Sequence, residues 1–523
     1  MIPPICVKYK VEHWIKISSA FYFAERMVRL VRNTMNFVDL CRGEFGRKVA
    51  YTGVDRITPQ NVVKVVSDTI GIHNRNRTLI DYLYRYMKGD QPILYRNKIV
   101  RPEVNNRVVE NHAFETVKFK AGQICGEPIQ YVCKKKNADK KINEQVDLLN
   151  DYLDEANADA RNIQRAIYQS ATGTSYKAIL KEEDWTKNGD LPPFRIFIPY
   201  PGDCYIVYSQ RNGKPMLSVQ ILKDEDEQQY YLCYSKNQFF EIKNGKVTNY
   251  GINGFGGIPI VECPNNHDRL SDVEIAITLF DAINKYQSDR LNGVEQFVQA
   301  FMKFKNCEID ENEFLKMVKL GAISVKDTGN GCQSDVELMT AELNQSESQV
   351  AKDDIYNNML IVEAMPNRQS NSGGDTGNAV YLRNGWDFAE RDAKLVEAFK
   401  EAEKESARII LNIIRGTSND VNISTRDFDV KITRNPTDNM LVKAQALDYL
   451  FKNKIHPLIA LITCGLFSDP QKVYEMSLPY LGTIYPELAD PEAEMQKAQQ
   501  LLDGKFQNPS KTEPMANSPS NEE

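Results

Sequence analysis

The segment SDVEIAITLFDAINKYQSDRLNGVEQ, residues Ser271 to Gln296, predicts one helix of unusual length. Its first four residues form a capping box, because the Ser271 hydroxyl and the Glu274 carboxylate can each accept a hydrogen bond from a backbone N–H group that a helix start leaves unpaired. Apolar residues from Val273 to Val294 can then share one stripe. The polar residues off that stripe are Lys285, Ser288, Asp289 and Asn292. At 1.5 Å per residue, the helix would be about 39 Å long.

Two more long helices are predicted downstream. Residues Glu342 to Met365 form an unusually polar helix that must stop before Pro366, because the residue preceding proline disfavours helical dihedral angles. The next segment, NRQSNSGGDTG at 367–377, has no apolar residue and predicts an exposed loop. Asn378 to Arg415 then predicts a helix of about 57 Å. Gly416 is its expected C-terminal cap.

The chain before Ser271 divides into helices and then strands. The predicted helices are Thr78–Lys88, Asn105–Ile124 and Asn143–Gln169. The predicted strands are 175–180, 194–198, 205–208, 216–222, 230–234 and 239–242. Two of the joints, Asn212-Gly213 and Asn244-Gly245, contain residues that take positive φ in tight hairpins. The sequence therefore predicts an antiparallel β meander within residues 175–250.

The remaining segments are shorter. Phe297–Glu337 predicts a small mixed region, with strands ending at Phe304 and spanning Ile323–Lys326 and a helix at Glu311–Lys319. The elements predicted after the last long helix are a strand at Phe428–Thr433 and helices at Leu441–Phe451, Pro457–Leu466 and Gln471–Met476. The tail from about Gly504 is rich in Ser, Pro, Asn, Lys and Glu, so it is predicted to be disordered.

Length and composition indicate a multidomain globular protein. A chain of 523 residues suggests two to four domains, and 42% apolar with 26% charged residues is an ordinary globular balance. The net charge of -6 argues against a tight, sequence-independent DNA binder. No segment is long and apolar enough to span a membrane, and no export signal is recognised. Ten scattered cysteines without a C-x-x-C pair indicate reduced thiols.

The sequence offers no convincing catalytic or metal site. The five histidines are far apart, and none has a second His or Cys at helical spacing. There is no phosphate-binding G-x-x-x-x-G-K-[ST] motif, and the glycine cluster at 251–257 precedes an extended segment instead of a helix. The acidic run 224–227 is interpreted as a solvated turn and not as a cation site. We therefore expect no enzyme activity, no cofactor and no metal.

Several segments, taken in order, resemble the portal proteins of siphovirus-type tailed bacteriophages, a head–tail connector family. The segments are LYRYMKG at 83–89, NNRVVEN at 105–111 with GEPI at 126–129, GIPIVE at 257–262 with NN at 265–266, SDVE at 271–274, DAIN at 281–284 and SD at 288–289, and SGGDTGNA at 372–379. A long capped helix, a small mixed insert, a polar helix, an apolar-free loop and a still longer helix form an unusual succession. The resemblance covers roughly residues 75–450.

The resemblance implies an α+β, mainly helical portal fold with a wing, a stem, a clip and a crown. The implied parts are an N-terminal arm at 1–74, a wing at 75–262 that includes the β meander, a first stem helix at 263–296, a clip at 297–337, a second stem helix at 338–366, a tunnel loop at 367–377, a long wing helix and strand at 378–435, a helical crown at 436–503 and a disordered tail at 504–523.

The resemblance also implies function and partners. Portal proteins of this family form dodecameric rings at one capsid vertex, where they serve genome packaging, retention and ejection, and head–tail joining. The implied partners are further copies of the chain, double-stranded DNA in the channel, the terminase large subunit, the major capsid and scaffolding proteins, and a head–tail adaptor, with no membrane. The implied location is the portal vertex of the virion, and the host cytoplasm during assembly.

Candidate residues follow from the physics of such a ring. An inward-facing side chain becomes a ring of identical groups, and DNA must slide through without tight phosphate contacts. The loop residues expected to meet DNA are Asn367, Arg368, Gln369, Ser370 and Asn371. The polar helix adds Lys352 and Asn357 as candidates. The residues expected to face the terminase are Glu308, Asp310, Glu313 and Lys316. The competing interpretation of each is a solvated surface residue.

Two other functions remain open on the sequence. A helical adaptor or scaffolding protein of a phage or mobile element would bind protein only and would form no DNA channel. A nuclease with an unrecognised carboxylate site would need a metal, and the sequence shows no ligand cluster for one.

Overall fold

The computed structural model describes residues 37–99, 101–134, 140–186, 189, 191–298, 301–305, 310, 312, 335–339, 345–365, 377–432, 440–464, 466–467 and 470–484. Its helices are α1 Phe37–Cys41, α2 Val62–Met87, α3 His112–Cys125, α4 Lys140–Glu155, α5 Ala158–Thr172, α6 Asp272–Val298, α7 Gln345–Val362, α8 Gly377–Thr417, α9 Met440–Lys452, α10 Pro457–Cys464 and α11 Pro470–Ile484. Its strands are β1 Ala50–Thr52, β2 Gln130–Cys133, β3 Thr174–Lys181, β4 Phe194–Phe197, β5 Cys204–Ser209, β6 Pro215–Lys223, β7 Gln229–Ser235, β8 Gln238–Lys243, β9 Lys246–Ile252, β10 Ile260–Pro264, β11 Phe301–Lys305, β12 Asp335–Met339 and β13 Phe428–Lys431. The predicted α+β class is confirmed.

The predicted β meander is correct for only part of its length. Strands β5 to β9 form consecutive antiparallel pairs, and β1 adds to β5 in parallel. The first two predicted strands, now β3 and β4, instead form a separate three-stranded sheet with β10. The reason is burial: β3 is buried at every position from Thr174 to Ile179, so both of its faces need cover, whereas a meander strand alternates between core and solvent.

The two predicted hairpin turns differ. Asn244 and Gly245 have φ of 50° and 70° and join β8 to β9 as a two-residue turn, which is the arrangement that the sequence predicts. In the other hairpin only Gly213 has positive φ, at 67°. The hairpin predicted at Asn212-Gly213 is confirmed, but its loop runs from residue 210 to 214 and is not a two-residue turn.

All three long helices are confirmed, with changed ends. Helix α6 contains 27 residues, α7 18 and α8 41. Helix α8 continues through Gly416, and the Asn419 N–H group, at a φ of 56°, bonds back to the carbonyl of Ile414 at 2.8 Å. Asparagine tolerates the left-handed conformation that ends a helix, so Asn419, and not Gly416, is the cap. Similarly, Asn157 at a φ of 52° splits the predicted helix at 143–169 into α4 and α5.

Helices α6 and α7 pack against each other in antiparallel orientation. Near the start of α6, Phe280 lies in the same buried cluster as Met359 and Leu360 at the end of α7. Near the other end, Arg290 donates to Gln349 at 2.8 Å. Beyond the pair, β11 and β12 form a two-stranded antiparallel sheet.

The capping box at the start of α6 is confirmed. The Ser271 hydroxyl accepts from the Val273 N–H group at 3.0 Å, and the Ser271 N–H group donates to Glu274 at 3.3 Å. Glu274 also accepts from Gly46 N at 2.8 Å and from Arg47 Nη2 at 2.5 Å. The same carboxylate therefore starts the helix and ties it to the chain that precedes β1.

Helix α8 is buried against the sheet formed by β3, β4 and β10. Three residues of α8, Phe399, Ile410 and Ile414, are fully buried and belong to a cluster that also contains residues of α4, α5 and β13. Helices α9 to α11 share a smaller cluster around Leu461 and Tyr474. Within the described residues, no helix combines the length and apolarity needed to cross a membrane.

Candidate functional site

Three polar side chains of α6, Asn284, Ser288 and Asn292, are buried under an extended segment. Residues 91–99 and 101–111, here called the strap, join α2 to α3 and lie along α6. Three backbone N–H groups of the strap donate to three side chains of α6. The N–H group of Glu110 donates to Asn284 at 2.8 Å, that of Val108 to Ser288 at 2.9 Å and that of Asn106 to Asn292 at 2.7 Å. Every fourth residue of a helix is about 6.0 Å further along its axis, and every second residue of an extended chain is about 6.6 Å further along. The spacing of the acceptors on α6 therefore matches the spacing of the donors on the strap.

This ladder corrects the prediction of a helix from Asn105. The backbone N–H groups of residues 106, 108 and 110 bond to α6 instead of forming helical bonds. Helix α3 begins at His112 with Asn111 as its N-cap, which accepts from Phe114 N at 3.2 Å. The three α6 side chains are at most 3% exposed. The small polar residues at positions 284, 288 and 292 were the available signal, because a repeat of four places them on one helical face.

Further contacts fix the strap at its other end. Arg96 pairs with Asp289 at 2.8 Å, and the Asn106 side-chain amide donates to Glu295 at 2.8 Å. The strap therefore follows α6 almost to its C-terminal end, and α6 is held by polar contacts on this side and by α7 on another.

Two residues of helix α7, one turn apart, contact the last part of the strap and the first residue of α3. Lys352 Nζ lies 2.6 Å from Glu110 Oε1, and the Tyr356 ring centroid lies 4.9 Å from that of His112. The Lys352 side chain is 20% exposed, whereas Asn357 is exposed. The two α7 candidates for DNA contact therefore lie in different environments: Lys352 faces a carboxylate of its own chain and Asn357 faces solvent.

The surroundings of His112 at this junction favour its positively charged form. Its Nε2 lies 3.2 Å from Glu110 and its Nδ1 lies 3.0 Å from Glu115. Both ring nitrogens donate only in the imidazolium form. Burial lowers the pKa of His112, but hydrogen bonds and charge from the two carboxylates outweigh it and raise that pKa above its ordinary value.

We expect His112→Gln to make the stability of the protein less dependent on pH. Because the folded pKa is raised, the stabilisation is fully present below about pH 6.5, the unfolded value, and disappears as the pH rises through the folded value. Denaturation at several pH values should show the variant less stable by about 1 kcal/mol at pH 6 and closer to the parent at pH 9. His267→Gln, at a fully exposed histidine, is the control. If the free energies of unfolding of the parent and the variant differed by the same amount from pH 6 to pH 9, the raised pKa of His112 would be contradicted.

The other sequence candidates are only partly placed. Asn367, Arg368, Gln369, Ser370 and Asn371 lie outside the described residues, as do Glu308, Glu313 and Lys316. Asp310 is exposed and accepts from the Asn312 side chain at 3.4 Å. In the part of the chain that the structure describes, no three His, Cys, Asp or Glu side chains are grouped so that they could hold a metal ion.

Comparison with known proteins gives a family for most of the chain. Residues 67–499 match the family described as "Phage portal protein, SPP1 Gp6-like". No curated protein matches. Among solved structures, the fold is similar to a chain from the neck of an empty GTA particle, with 10% identity, 68% of this chain and 90% of that chain covered, and a TM-score of 0.42. For a chain from the neck of a native GTA particle the identity is 11%, the alignment covers 68% of this chain and 89% of that chain, and the TM-score is 0.40.

The family match begins within α2, extends beyond α11 and includes the contacts between α6, α7 and the strap described above. It agrees with the family that the order of the helices, loop and strands resembles, and it favours that family over an adaptor, a scaffolding protein or a nuclease. This chain belongs to the phage portal protein family, SPP1 Gp6-like.

Proposed function

We propose that copies of this portal protein close into a dodecameric ring whose axial hole carries double-stranded DNA at one capsid vertex. The observation that carries the proposal is the antiparallel pair of α6 and α7, which leaves two large apolar side chains exposed on one side of α7 within one subunit. Val350 and Ile361 of α7 are 69% and 66% exposed and lie three turns apart on one side of the helix. Side-by-side packing of such pairs would cover this face, and a head-to-tail contact that closes makes a ring.

In this arrangement α6 and α7 form the stem, β11 and β12 begin the clip, and residues 75–262 together with α8 form the wing. Helices α9 to α11 form the crown. The clip, with Glu308, Asp310, Glu313 and Lys316, is proposed to dock the terminase large subunit. The wing and crown are proposed to contact the capsid, the scaffolding protein and the head–tail adaptor. The subunit would assemble in the host cytoplasm and remain in the virion.

The loop 367–377 is proposed to meet DNA in the channel. It follows α7 directly, contains one basic residue, Arg368, and has no apolar side chain. The polar groups Asn367, Gln369, Ser370 and Asn371 would contact phosphates weakly, which suits a duplex that must slide. On α7, Asn357 lies on the same side as Val350 and Ile361, so it would add a polar group to the channel only where the neighbouring subunit leaves that side uncovered. Lys352 would reach a phosphate only by leaving Glu110.

We expect Arg368→Glu to reduce the number of DNA-filled particles by about tenfold or more, because a closed ring repeats each loop charge around the axis and each added anion repels phosphate. The measurement is the DNA content of particles assembled with the variant, beside the amount of portal protein incorporated. Arg211→Glu, on an exposed turn between β5 and β6, is the matched control. Normal DNA content with Arg368→Glu would contradict a channel role for the loop.

A further inference from the structure

Helix α7 ends in a tightly specified turn just before the loop. The Met365 N–H group donates to the Leu360 carbonyl at 2.8 Å, and the Ala364 N–H group donates to the Ile361 carbonyl at 3.1 Å. This pair of bonds is a Schellman motif. Ala364 has a φ of 50°, a left-handed conformation that alanine adopts only where its surroundings impose it.

A lysine from α3 contacts this turn. Lys120 Nζ donates to the backbone carbonyl of Glu363 at 2.5 Å. The last carbonyls of a helix have no partner within the helix, and an ammonium group satisfies one of them while it complements the negative end of the helix dipole. Lys120 is half-buried, so water competes for this contact less than at an exposed site.

The Glu363 side chain is buried beside this contact. It is 3% exposed, and its Oε1 has no hydrogen-bond partner among the described residues. Burial and the charge of Asp272 raise the pKa of Glu363 well above its ordinary value, although the charge of Lys120 acts in the opposite direction. Asp272 accepts from Ser170 at 2.5 Å and from Asn265 at 3.0 Å. Burial thus favours the neutral form of the Glu363 carboxyl group, and the Lys120 ammonium donates to the backbone carbonyl of the same residue.

We propose that Lys120 is a positioning residue that fixes where the chain leaves α7, by holding the carbonyl of Glu363 against α3. This inference rests on the proposed function, since the loop that follows Met365 is the segment proposed to meet DNA. The contact joins an element of the proposed wing to the end of the proposed stem. A displacement of α3 would therefore shift the point from which the loop starts.

The test is hydrogen exchange, read by mass spectrometry, in the assembled full-length protein. Lys120→Met removes the ammonium and keeps most of the aliphatic side chain. We expect exchange at residues 363–365 to become about tenfold faster, because the variant loses one charged hydrogen bond that holds this local turn. Exchange in α2 and β5 should be unaffected. Lys120→Arg should restore slow exchange. Lys118→Met, at an exposed position on the same helix, is the matched control. Lys120→Gln serves as a second variant if Lys120→Met does not assemble.

DNA content of particles made with the same variants separates the two proposals. Faster exchange at 363–365 with reduced DNA content supports both. Faster exchange with normal DNA content supports the positioning role and overturns the DNA role of the loop. Unchanged exchange in Lys120→Met and Lys120→Gln overturns the positioning role, whatever the DNA content.

Discussion

Glu403→Gln is expected to destabilise the portal protein by about 3–5 kcal/mol, the usual result of removing one partner from a buried ionic group. Glu403 lies on α8 and is 1% exposed. Its carboxylate is 2.6 Å from Arg165 Nη2 on α5 and 3.1 Å from Lys177 Nζ on β3, and it accepts from the Tyr131 hydroxyl at 2.8 Å. Both cationic side chains are fully buried.

The large cost follows from the two cations that would remain. Glutamine keeps the volume of glutamate but removes the charge, so Arg165 and Lys177 would stay buried without a carboxylate. Burial opposes the ionisation of Glu403, yet the charges of Lys177 and Arg165 outweigh it and lower its pKa to about 2. The carboxylate is therefore ionised throughout the physiological range. The Arg165 guanidinium also lies 3.8 Å from the centre of the Phe399 ring, so α8 contributes two contacts to the same cation.

Chemical denaturation at a fixed protein concentration measures this effect, because the stability of an assembly depends on concentration. Glu401→Gln is the matched control, since Glu401 lies on the same helix and is exposed. A variant at position 403 whose free energy of unfolding equals that of the control would show that this network does not hold α8 to the sheet.

The second large effect is expected for Glu274→Gln, at about 3 kcal/mol or more, because Arg47 would be left buried without its counter-charge. The side chains of Arg47 and Glu274 are 1% and 0% exposed. Arg47 Nε and Nη1 have no hydrogen-bond partner among the described residues. Glu274 therefore offsets most of the cost of burying the Arg47 charge. The substitution also removes the charged acceptor for Ser271 N at the start of α6.

Denaturation should therefore show a lower midpoint for Glu274→Gln, with the same Glu401→Gln control. Hydrogen exchange should locate the loss, since the first turn of α6 and residues 46–47 share the carboxylate and should open together. If exchange increased in the first turn of α6 but not at residues 46–47, the carboxylate would serve only as a helix cap.

The long helices could be predicted because their signals are local. The Ser271–Glu274 capping box and the apolar repeat locate α6 to within two residues of its ends. Pro366 predicts that α7 stops before the loop. The helix ends a few residues earlier because Ala364 adopts a left-handed conformation, which an alanine in the sequence does not predict. Asn157 and Asn419 end helices in the same way, and an isolated asparagine is too common to be predictive.

The contacts that join the elements could not be predicted, because they depend on partners distant in sequence. Arg165, Lys177 and Glu403 each look like surface residues in their own segments, and only the fold buries them together. Asn284, Ser288 and Asn292 similarly look like a solvated stripe, since nothing local shows that residues 106–110 will cover them. The separation of β3 from the meander depends on β10, which follows it by almost eighty residues.

The most direct test of the central claim is electron microscopy of the purified full-length portal protein. The proposed function predicts closed rings with an axial hole wide enough for duplex DNA, in which α6 and α7 of neighbouring subunits lie side by side. Stable monomers at high protein concentration, or rings in which residues 367–377 lie on the outer surface away from the axis, would contradict it.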